Sequence, residues 1–416
     1  MRVFKFGGAS VKDVEGLENV ANVLRKTGAE ELVIVVSAMG KTTNALEDVV
    51  STYIEGGIPY DVPLEKVKAY HYRILHELKL EKNRLLQSKI NSLFSEIDLF
   101  LSDNTSFDRD FVYDQVVPYG ELLSSTILHA VLEQEGFSIE WLDARKVLIT
   151  DASFREANIN WSKTKQNLDE IIHSTRSYLT QGFIGGTSTG LSTTLGREGS
   201  DYTAAIVASC LDANSVTIWK DVPGVLSADP RYFEHTFLLS SISYSEAIEL
   251  AFYGASVIHP KTLQPIQQKK IPLYVKPFLD PTAPGTCITG LSGIKPQYPC
   301  FILKRGELLI RLSTLDFSFM IEEHLGEIFI LMARYRIKVD LLQNSAISIS
   351  LCVQDRFGTL KELLTELNER FKVDLISNVD LYTIRHFNAA AIASIELNNE
   401  VLVKQVAGNM AQLVVK

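Results

Sequence analysis

The first residues of the chain place a lysine directly before two glycines. Val3–Phe6 reads as a short apolar strand that contains Lys5, and Gly7 and Gly8 follow before a helix begins near Val11. A lysine in a strand core is costly unless its charge is used, adjacent glycines let the backbone approach a ligand, and a helix N-terminus attracts anions. This combination predicts a phosphate-binding loop. The alternative is an ordinary strand, turn and helix with a solvated Lys5.

Two further segments carry polar side chains at the ends of predicted strands, where open α/β sheets bind ligands. Ser37 follows an apolar strand, and it either binds a phosphate or caps the next helix. The segment 185–201 is rich in glycine and hydroxyl residues and contains Arg197, whose guanidinium suits bidentate capture of a carboxylate or phosphate. Asp201 ends this segment and either belongs to a site or only begins a helix.

A third segment, 219–231, combines two turns with charged side chains. Pro-Gly and Asp-Pro mark the turns, and Lys220, Asp221 and Arg231 stand beside them. Glu121 opens another predicted helix, where a carboxylate is favoured by the helix dipole alone. The chain has no GxGxxG dinucleotide motif, and Met39–Thr42 imitates only the end of a P-loop.

Composition limits the classes of partner and compartment. The chain has 416 residues, 46% hydrophobic and 22% charged, which suits two or three globular domains. A net charge of −9 argues against a nucleic acid or an anionic membrane as partner. Four scattered cysteines indicate a reducing compartment and argue against structural zinc. With no signal-like N-terminal segment and no apolar run of about 18 residues, we expect a cytoplasmic protein.

Predicted strands and helices alternate along the chain up to about residue 276, and these elements must position the side chains named above. Near-continuous apolar strands such as 32–36 suit a parallel sheet buried on both faces, so an αβα sandwich is predicted. Helices are predicted over Ser200–Leu211 and Ser245–Tyr253, and residues 64–102 read as a helical excursion. The strand candidates are Val3–Phe6, Glu31–Ser37, Ser138–Leu142, Gly182–Gly185, Val216–Trp219 and Leu273–Val275.

The order of elements changes after a segment, 277–300, that is rich in proline and glycine and reads as a linker or edge. The next elements follow the βαββαβ order of a ferredoxin-like unit. Those elements are Leu308–Leu312, Phe319–Tyr335, Lys338–Leu342, Ile347–Cys352, Thr359–Phe371 and Val373–Ile376. Three more strand candidates, at Asp380–His386, Glu400–Val406 and Gln412–Val415, are too few for a second full unit.

Taken in order, the motifs resemble those of one family. KFGGAS is similar to the KFGGTS of the aspartokinases in the amino-acid kinase superfamily, and GREGSD is similar to their GRGGSD. DVPGVLSADPR resembles their DVPGxxTxDPR, and GASVIHP their GAKVLHP. The tail resembles the family's regulatory ACT region. The resemblance implies a kinase domain at 1–285 and an ACT-type regulatory or dimerisation region at 300–416, with one full unit and a reduced second one.

The resemblance also implies an activity: ATP-dependent phosphorylation of the β-carboxylate of L-aspartate, the first step towards lysine, threonine and methionine. Lys5 and Asp201 would be catalytic, Arg197 would clamp a substrate carboxylate, and Glu121 would face the amino group. Mg²⁺ would arrive with ATP, since no carboxylate cage for a metal is visible. The implied substrate residues are Thr43, Glu121, Arg197 and Ser200; the implied ATP or phosphate residues are Lys5, Gly7, Gly8, Ser37, Lys220, Asp221, Arg231, Ser256, Val257 and Lys261.

Three positions of the kinase region depart from the family pattern. The family threonine of KFGGTS is Ala9, and the family tyrosine after PGI is Leu226. The family lysine of GAKVLHP, which helps to hold phosphates, is Ser256. Lys261 or Lys220 could supply the missing positive charge.

The tail departs from the family at its effector segment. The resemblance places tentative effector contacts at Val339, Asp340, Asn344 and Ser345, but alanine stands at 346 where the family has an acidic residue. A cationic effector such as lysine therefore loses a counter-charge. The tail is expected to dimerise the protein, or to form a higher homo-oligomer, with little or altered feedback sensing. Two alternatives stay open: a sibling kinase acting on glutamate or acetylglutamate, and an amino-acid sensor that has lost catalysis.

Overall fold

The computed structural model describes residues 1–255, 257–291, 293–316 and 318–416. The chain forms two compact units. The first comprises Met1–Val225, Leu238–Ile248 and Val257–Gly293, and the second comprises Leu226–Phe237, Glu249–Ser256 and Ile294–Lys416. The sequence-based domain limits of 285 and 300 stay a prediction.

Helices and strands alternate along the first part of the chain. The strands are β1 (Arg2–Phe6), β2 (Leu32–Val36), β3 (Glu140–Leu142), β4 (Ile149–Thr150), β5 (Tyr178–Gln181), β6 (Ile184–Thr187), β7 (Ser192–Thr194), β8 (Ser215–Lys220), β9 (Ser241–Ser243), β10 (Leu273–Pro277), β11 (Thr286–Thr289) and β12 (Ile294–Lys295). The helices are α1 (Val14–Thr27), α2 (Thr42–Glu55), α3 (Asp61–Glu77), α4 (Arg84–Asp103), α5 (Arg109–Val116), α6 (Tyr119–Gln134), α7 (Ala144–Val147), α8 (Trp161–Ile171), α9 (Gly199–Cys210), α10 (Tyr244–Tyr253) and α11 (Pro260–Lys269).

Eight strands of the first unit form one sheet in the order β9-β11-β10-β8-β1-β2-β5-β3. β1 lies between β2 and β8 and is parallel to both, whereas β10 and β11 run antiparallel to each other. Every residue of β2 is buried, as expected for a strand covered on both faces. The prediction of a parallel-sheet α/β unit is confirmed.

Several predicted limits in the first unit are wrong. Gly182–Gly185 is not one strand, because β5 ends at Gln181 and Phe183 adopts a left-handed φ of 68° before β6 begins. Likewise 277–300 is not only a linker, since β11 lies inside the sheet between β9 and β10. The predicted helical excursion at 64–102 is confirmed as α3 and α4.

The second unit contains an antiparallel sheet with helices. Its strands are β13 (Cys300–Thr314), β14 (Lys338–Asn344), β15 (Ser348–Gln354), β16 (Phe371–Arg385), β17 (Val401–Ala407) and β18 (Met410–Val415), and its helices are α12 (Glu322–Arg334), α13 (Leu360–Asn368) and α14 (Ala389–Glu396). The sheet order is β14-β15-β13-β16-β18-β17. The sequential β13-α12-β14-β15-α13-β16 confirms the predicted ferredoxin-like unit.

Two strands of this sheet are longer than the sequence suggested. The predictions at 373–376 and 380–386 are parts of the single strand β16, and β13 extends well beyond 308–312. The two strands pair over most of their length, across an irregularity between Lys304 and Leu308 where Gly306 has a φ of 69°. A turn-like sequence inside a strand is therefore tolerated as a bulge. Helix α14, which the sequence did not predict, precedes the β17-β18 hairpin.

None of the helices within the described residues is long and apolar enough to span a bilayer.

Candidate active site

One cavity of the first unit, of about 600 Å³, brings together most of the residues expected to bind substrate. Its walls come from β1, the loops after β2 and β7, and the starts of α2, α6 and α9. The predicted residues that line it are Lys5, Gly8, Ser37, Thr43, Glu121, Arg197, Ser200 and Asp201.

Lys5 and Lys220 share one buried carboxylate. Lys5 Nζ lies 2.6 Å from Asp201 Oδ1, and Lys220 Nζ lies 3.4 Å from Asp201 Oδ2. The fold brings the two lysines and Asp201 together, because β1 pairs with β8 and Asp201 is in the first turn of α9. Burial alone would raise the pKa of Asp201, but the two ammonium groups outweigh it and hold that pKa below its ordinary value. Asp201 is therefore an anion that orients two cations.

The glycine pair allows two loops to touch beside Lys5. Gly40 N–H donates to Gly8 O at 3.0 Å, and a Cβ on Gly8 would stand 2.6 Å from Ala38 O. A Cβ on Gly7 would lie 3.4 Å from Lys5 Nζ. A side chain at position 8 would thus force the loops after β1 and β2 apart.

Ser37 lines the cavity without capping a helix. Helix α2 begins at Thr42, and its N-cap residue, Lys41, makes no side-chain cap bond. Of the two alternatives for Ser37, capping is wrong. The Ser37 backbone is fixed instead, because its N–H donates to Phe6 O at 3.1 Å and its carbonyl accepts from Ser124 Oγ at 2.7 Å.

Glu121 is a buried carboxylate with one modest hydrogen bond. It is 2% exposed, and its Oε1 accepts from Ala38 N–H at 3.2 Å. Oε2 finds no hydrogen-bond donor within the described part of the chain. Burial raises the pKa of Glu121 to about 8, because no cation offsets the loss of water. An incoming ammonium group would supply the missing partner.

Arg197 is exposed at the mouth of the cavity, in the loop between β7 and α9. No ion-pair partner for its guanidinium occurs among the residues that the structure describes. The next residue, Glu198, takes the place of a glycine in the motif GRGGSD. Its φ is 54°, in the left-handed region that favours glycine. The backbone therefore keeps the glycine-like conformation that points this loop into the cavity.

The side chains of the cavity wall that sequence reasoning missed include Asn44, Tyr113, Arg155, Glu156 and Phe183. Arg155 and Phe183 have φ values of 67° and 68°. Arg155 and Glu156 lie in the segment 151–158, which has several polar residues between weak strand signals and contains no recognisable motif.

The sequence model of the amino acid kinase family matches residues 1–277. The chain belongs to this family, on its aspartokinase branch. It is 30% identical to the lysine-sensitive aspartokinase 3 of Escherichia coli over 397 residues, which cover 92% of this chain and 86% of the relative.

Two solved structures of E. coli aspartokinase III are similar to this aspartokinase over its whole length, and each is covered to 96% at 28% identity. The form with lysine and aspartate, called the T-state, gives a TM-score of 0.83. The form with aspartate and ADP, called the R-state, gives 0.79. The predicted recognition of the family is confirmed.

Of the two lysines that could replace the family lysine at position 256, Lys220 contacts a carboxylate of the cavity wall, that of Asp201. Lys220 also donates to Val257 O, so it bridges that backbone and Asp201. Lys261 Nζ instead donates to Leu195 O at 3.0 Å and lies 4.8 Å from the ring centroid of Tyr202. Ser256 itself lies outside the described residues. The geometry favours Lys220, and a role for either lysine stays a prediction.

The remaining predicted nucleotide residues do not line the cavity. Asp221 is exposed. Arg231 belongs to the second unit, where its guanidinium pairs with Asp229 through two bonds of 3.0 and 2.6 Å. Their proposed contacts with ATP rest on the sequence resemblance.

The tentative effector residues lie along β14 and the turn after it. Asp340 is nearly buried, and both Lys304 and Lys338 contact its Oδ1, at 2.8 and 2.9 Å. Ser345 Oγ donates to Ser348 O at 3.1 Å, while Val339 and Asn344 are paired with β15. The carboxylate proposed for an effector is thus already matched by two cations of the same chain.

Proposed function

We propose that this aspartokinase transfers the γ-phosphoryl group of ATP to the β-carboxylate of L-aspartate, giving 4-phospho-L-aspartate for amino-acid biosynthesis. One observation carries the proposal. A single cavity holds a buried carboxylate without a cation, Glu121, together with Arg197 and the Lys5–Asp201 pair. These groups suit a small amino acid as phosphoryl acceptor: Glu121 complements its ammonium group, Arg197 complements a carboxylate, and Lys5 complements the phosphoryl group.

The reaction needs positioning and charge neutralisation more than covalent chemistry. A β-carboxylate oxygen of aspartate attacks the γ-phosphorus, the bond from that phosphorus to the bridging oxygen of ADP breaks, and ADP leaves with the electron pair. In our proposal Lys5 neutralises charge on the transferring phosphoryl group, and Asp201 keeps the Lys5 ammonium in place. Gly7 and Gly8 leave room for backbone N–H groups near the phosphates, while Thr43 and Ser200 offer hydroxyl groups to the substrate.

ATP is proposed to enter as its Mg²⁺ complex, in which the metal offsets phosphate charge. The chain's own donors fit this route, because the Asp201 carboxylate is already held by two lysines. Within the part of the chain that the structure describes, no three or more His, Cys, Asp or Glu side chains lie together in a way that could hold a metal ion.

We also propose that the second unit mediates self-association. Helix α12 exposes Phe329 and Ile330, which are 43% and 62% accessible in the single chain.

A location in the cytoplasm stays a prediction.

The function is tested with purified protein, Mg²⁺ and ATP. We expect ADP release that depends on L-aspartate, and trapping of the acyl phosphate by hydroxylamine as an aspartyl hydroxamate. Glutamate or N-acetylglutamate turning over faster than aspartate would favour the sibling kinase. Binding of aspartate without ADP release would favour the sensor.

Arg197→Lys is expected to raise the KM for aspartate about tenfold or more and to leave the KM for ATP nearly unchanged. A lysine keeps the charge but loses the two parallel N–H donors of a bidentate pair. Steady-state kinetics with each substrate varied would measure this. Arg176→Lys is the matched control, since Arg176 pairs with Glu140 away from the cavity. Equal effects on both KM values would assign Arg197 to the nucleotide instead.

Free lysine is expected to change the activity less than about twofold, even at lysine concentrations well above the dissociation constant that a specific effector site would have. Asp340 is already paired with Lys304 and Lys338, and residue 346 offers no carboxylate. Initial rates at subsaturating aspartate, with and without lysine, give the answer. Strong inhibition by lysine would show that these pairs open for an effector.

A further inference from the structure

We propose that Arg155 is a second substrate arginine, which binds the α-carboxylate of aspartate, the carboxylate that is not phosphorylated. The inference rests on the proposed function and adds a specificity-determining residue to it. Arg155 lines the same cavity as Lys5, Glu121 and Arg197, although no motif of the sequence points to it.

The backbone at Arg155 is held in a conformation that arginine rarely adopts. Its φ is 67°, in the left-handed region that favours glycine. Such a conformation is strained and persists only where the surroundings impose it, often at ligand sites. Here the constraint is visible, because the Arg155 N–H donates to Asp114 Oδ2 at 3.0 Å.

Asp114 joins the Arg155 loop to the Arg197 loop. This carboxylate is fully buried and also accepts from Thr194 N–H and Thr194 Oγ1, each at 2.8 Å. Thr194 stands three residues before Arg197, and a Cβ on Gly196 would be 3.3 Å from Arg155 O. The two arginines are therefore presented by loops that one carboxylate fixes together.

The guanidinium of Arg155 is oriented but weakly neutralised. It lies 4.1 Å from the ring centroid of Tyr113, and its Nη2 is 2.9 Å from Glu47 Oε1. A second carboxylate, Asp110, is 3.6 Å away. The side chains of Glu47 and Asp110 are 38% and 59% exposed, and ion pairs with such solvent-exposed groups contribute little. A substrate carboxylate can replace them at little cost, while the Tyr113 ring keeps the guanidinium plane in place.

The division of cations in the cavity assigns Arg155 to the α-carboxylate. Lys5 is committed to Asp201, beside the phosphates in the proposed mechanism. Arg155 is held by α2 and α5 and has no contact with that pair. The two carboxylates of the substrate therefore face two arginines. Arg197 stands only four residues before Asp201, so the carboxylate beside the phosphoryl group belongs to Arg197, and the α-carboxylate belongs to Arg155.

The test compares Arg155→Gln with Glu47→Gln. We expect Arg155→Gln to raise the KM for aspartate about tenfold or more, with kcat and the KM for ATP within about twofold. Glu47→Gln frees the guanidinium from its competitor, so the KM for aspartate should stay equal or fall. A merely structural ion pair would make the two variants behave alike. Arg109→Gln is the matched control, because Arg109 also contacts α2, through Ser51, but does not line the cavity.

Two substrate analogues identify the carboxylate. L-Asparagine keeps the α-carboxylate and lacks the β-carboxylate, whereas the α-amide of L-aspartate is the reverse. In Arg155→Gln, inhibition by asparagine should weaken about tenfold and inhibition by the α-amide should not change. An unchanged KM for aspartate in Arg155→Gln would overturn the inference. So would weaker inhibition by the α-amide with unchanged inhibition by asparagine. Wild-type protein that neither binds nor phosphorylates aspartate would overturn the proposed function itself.

Discussion

Replacing Lys5 by alanine is expected to lower kcat about a hundredfold or more, which corresponds to about 3 kcal/mol of lost transition-state stabilisation. The reason is electrostatic. Lys5 is 7% exposed and is aimed by Asp201 at 2.6 Å, so its charge acts where little water screens it. A prearranged cation of this kind stabilises the charge that develops during transfer without reorganising first.

Loss of stability must be separated from loss of catalysis in this variant. Without Lys5, the buried Asp201 keeps only Lys220, at 3.4 Å, and the fold should weaken. The double variant Lys5→Ala/Asp201→Asn removes both charges, so it should regain thermal stability while kcat stays low. Lys68→Ala is the matched control, because Lys68 also forms ion pairs, with Glu65 and Asp98, but lies outside the cavity. A well-folded Lys5→Ala enzyme within threefold of the wild-type kcat would contradict the assignment.

The catalytic loops were predictable because each consists of neighbouring residues. KFGG carries the strand, the cation and the glycines in one stretch, and parallel strands bring such stretches to one edge of the sheet. That Lys220 rather than Lys261 meets Asp201 was not predictable, since both follow plausible strand or helix ends. The choice depends on the register of β8 against β1, where Phe6 stands opposite Trp219.

Arg155 shows a second limit of sequence reasoning. Its partners Glu47, Tyr113 and Asp114 come from α2 and α5, about 40 to 110 residues away along the chain. No local pattern records such contacts. The long strands β13 and β16 were missed for a related reason, because Gly306 in β13 and Ser377-Asn378 in β16 look like strand ends although both strands continue past them.

Glu121→Gln is expected to raise the KM for aspartate about a hundredfold, because a neutral amide cannot pair with the substrate ammonium in a buried site. The change removes the charge and keeps the shape. Glu307→Gln is a matched control in the second unit, since Glu307 is also buried and burial raises its pKa to about 7. That variant should leave the KM for aspartate within about twofold.

The raised pKa of Glu121 gives this prediction a pH signature. With a pKa of about 8 in the free enzyme, Glu121 is largely protonated at pH 7 and must lose its proton to pair with an ammonium group. Binding of aspartate at pH 7 should therefore release a proton, visible in calorimetry as a dependence on the ionisation enthalpy of the buffer. The affinity should rise as the pH increases towards 8. Glu121→Gln should bind weakly and show neither effect.

Stability should change with pH in the opposite direction to affinity. The folded-state pKa of Glu121, about 8, lies above its ordinary value of 4.5, so the folded protein holds a proton that the unfolded chain has released between these values. The folded state is therefore favoured at low pH, and this contribution is lost as the pH rises to about 8. Because glutamine never ionises, Glu121→Gln should melt about 2 °C or more above the wild type at pH 8.5 and close to it at pH 5. Saturating aspartate should remove the wild-type deficit at pH 8.5, since the substrate ammonium then compensates the carboxylate. A wild-type deficit that persists with aspartate bound would mean that the ammonium pairs elsewhere in the cavity.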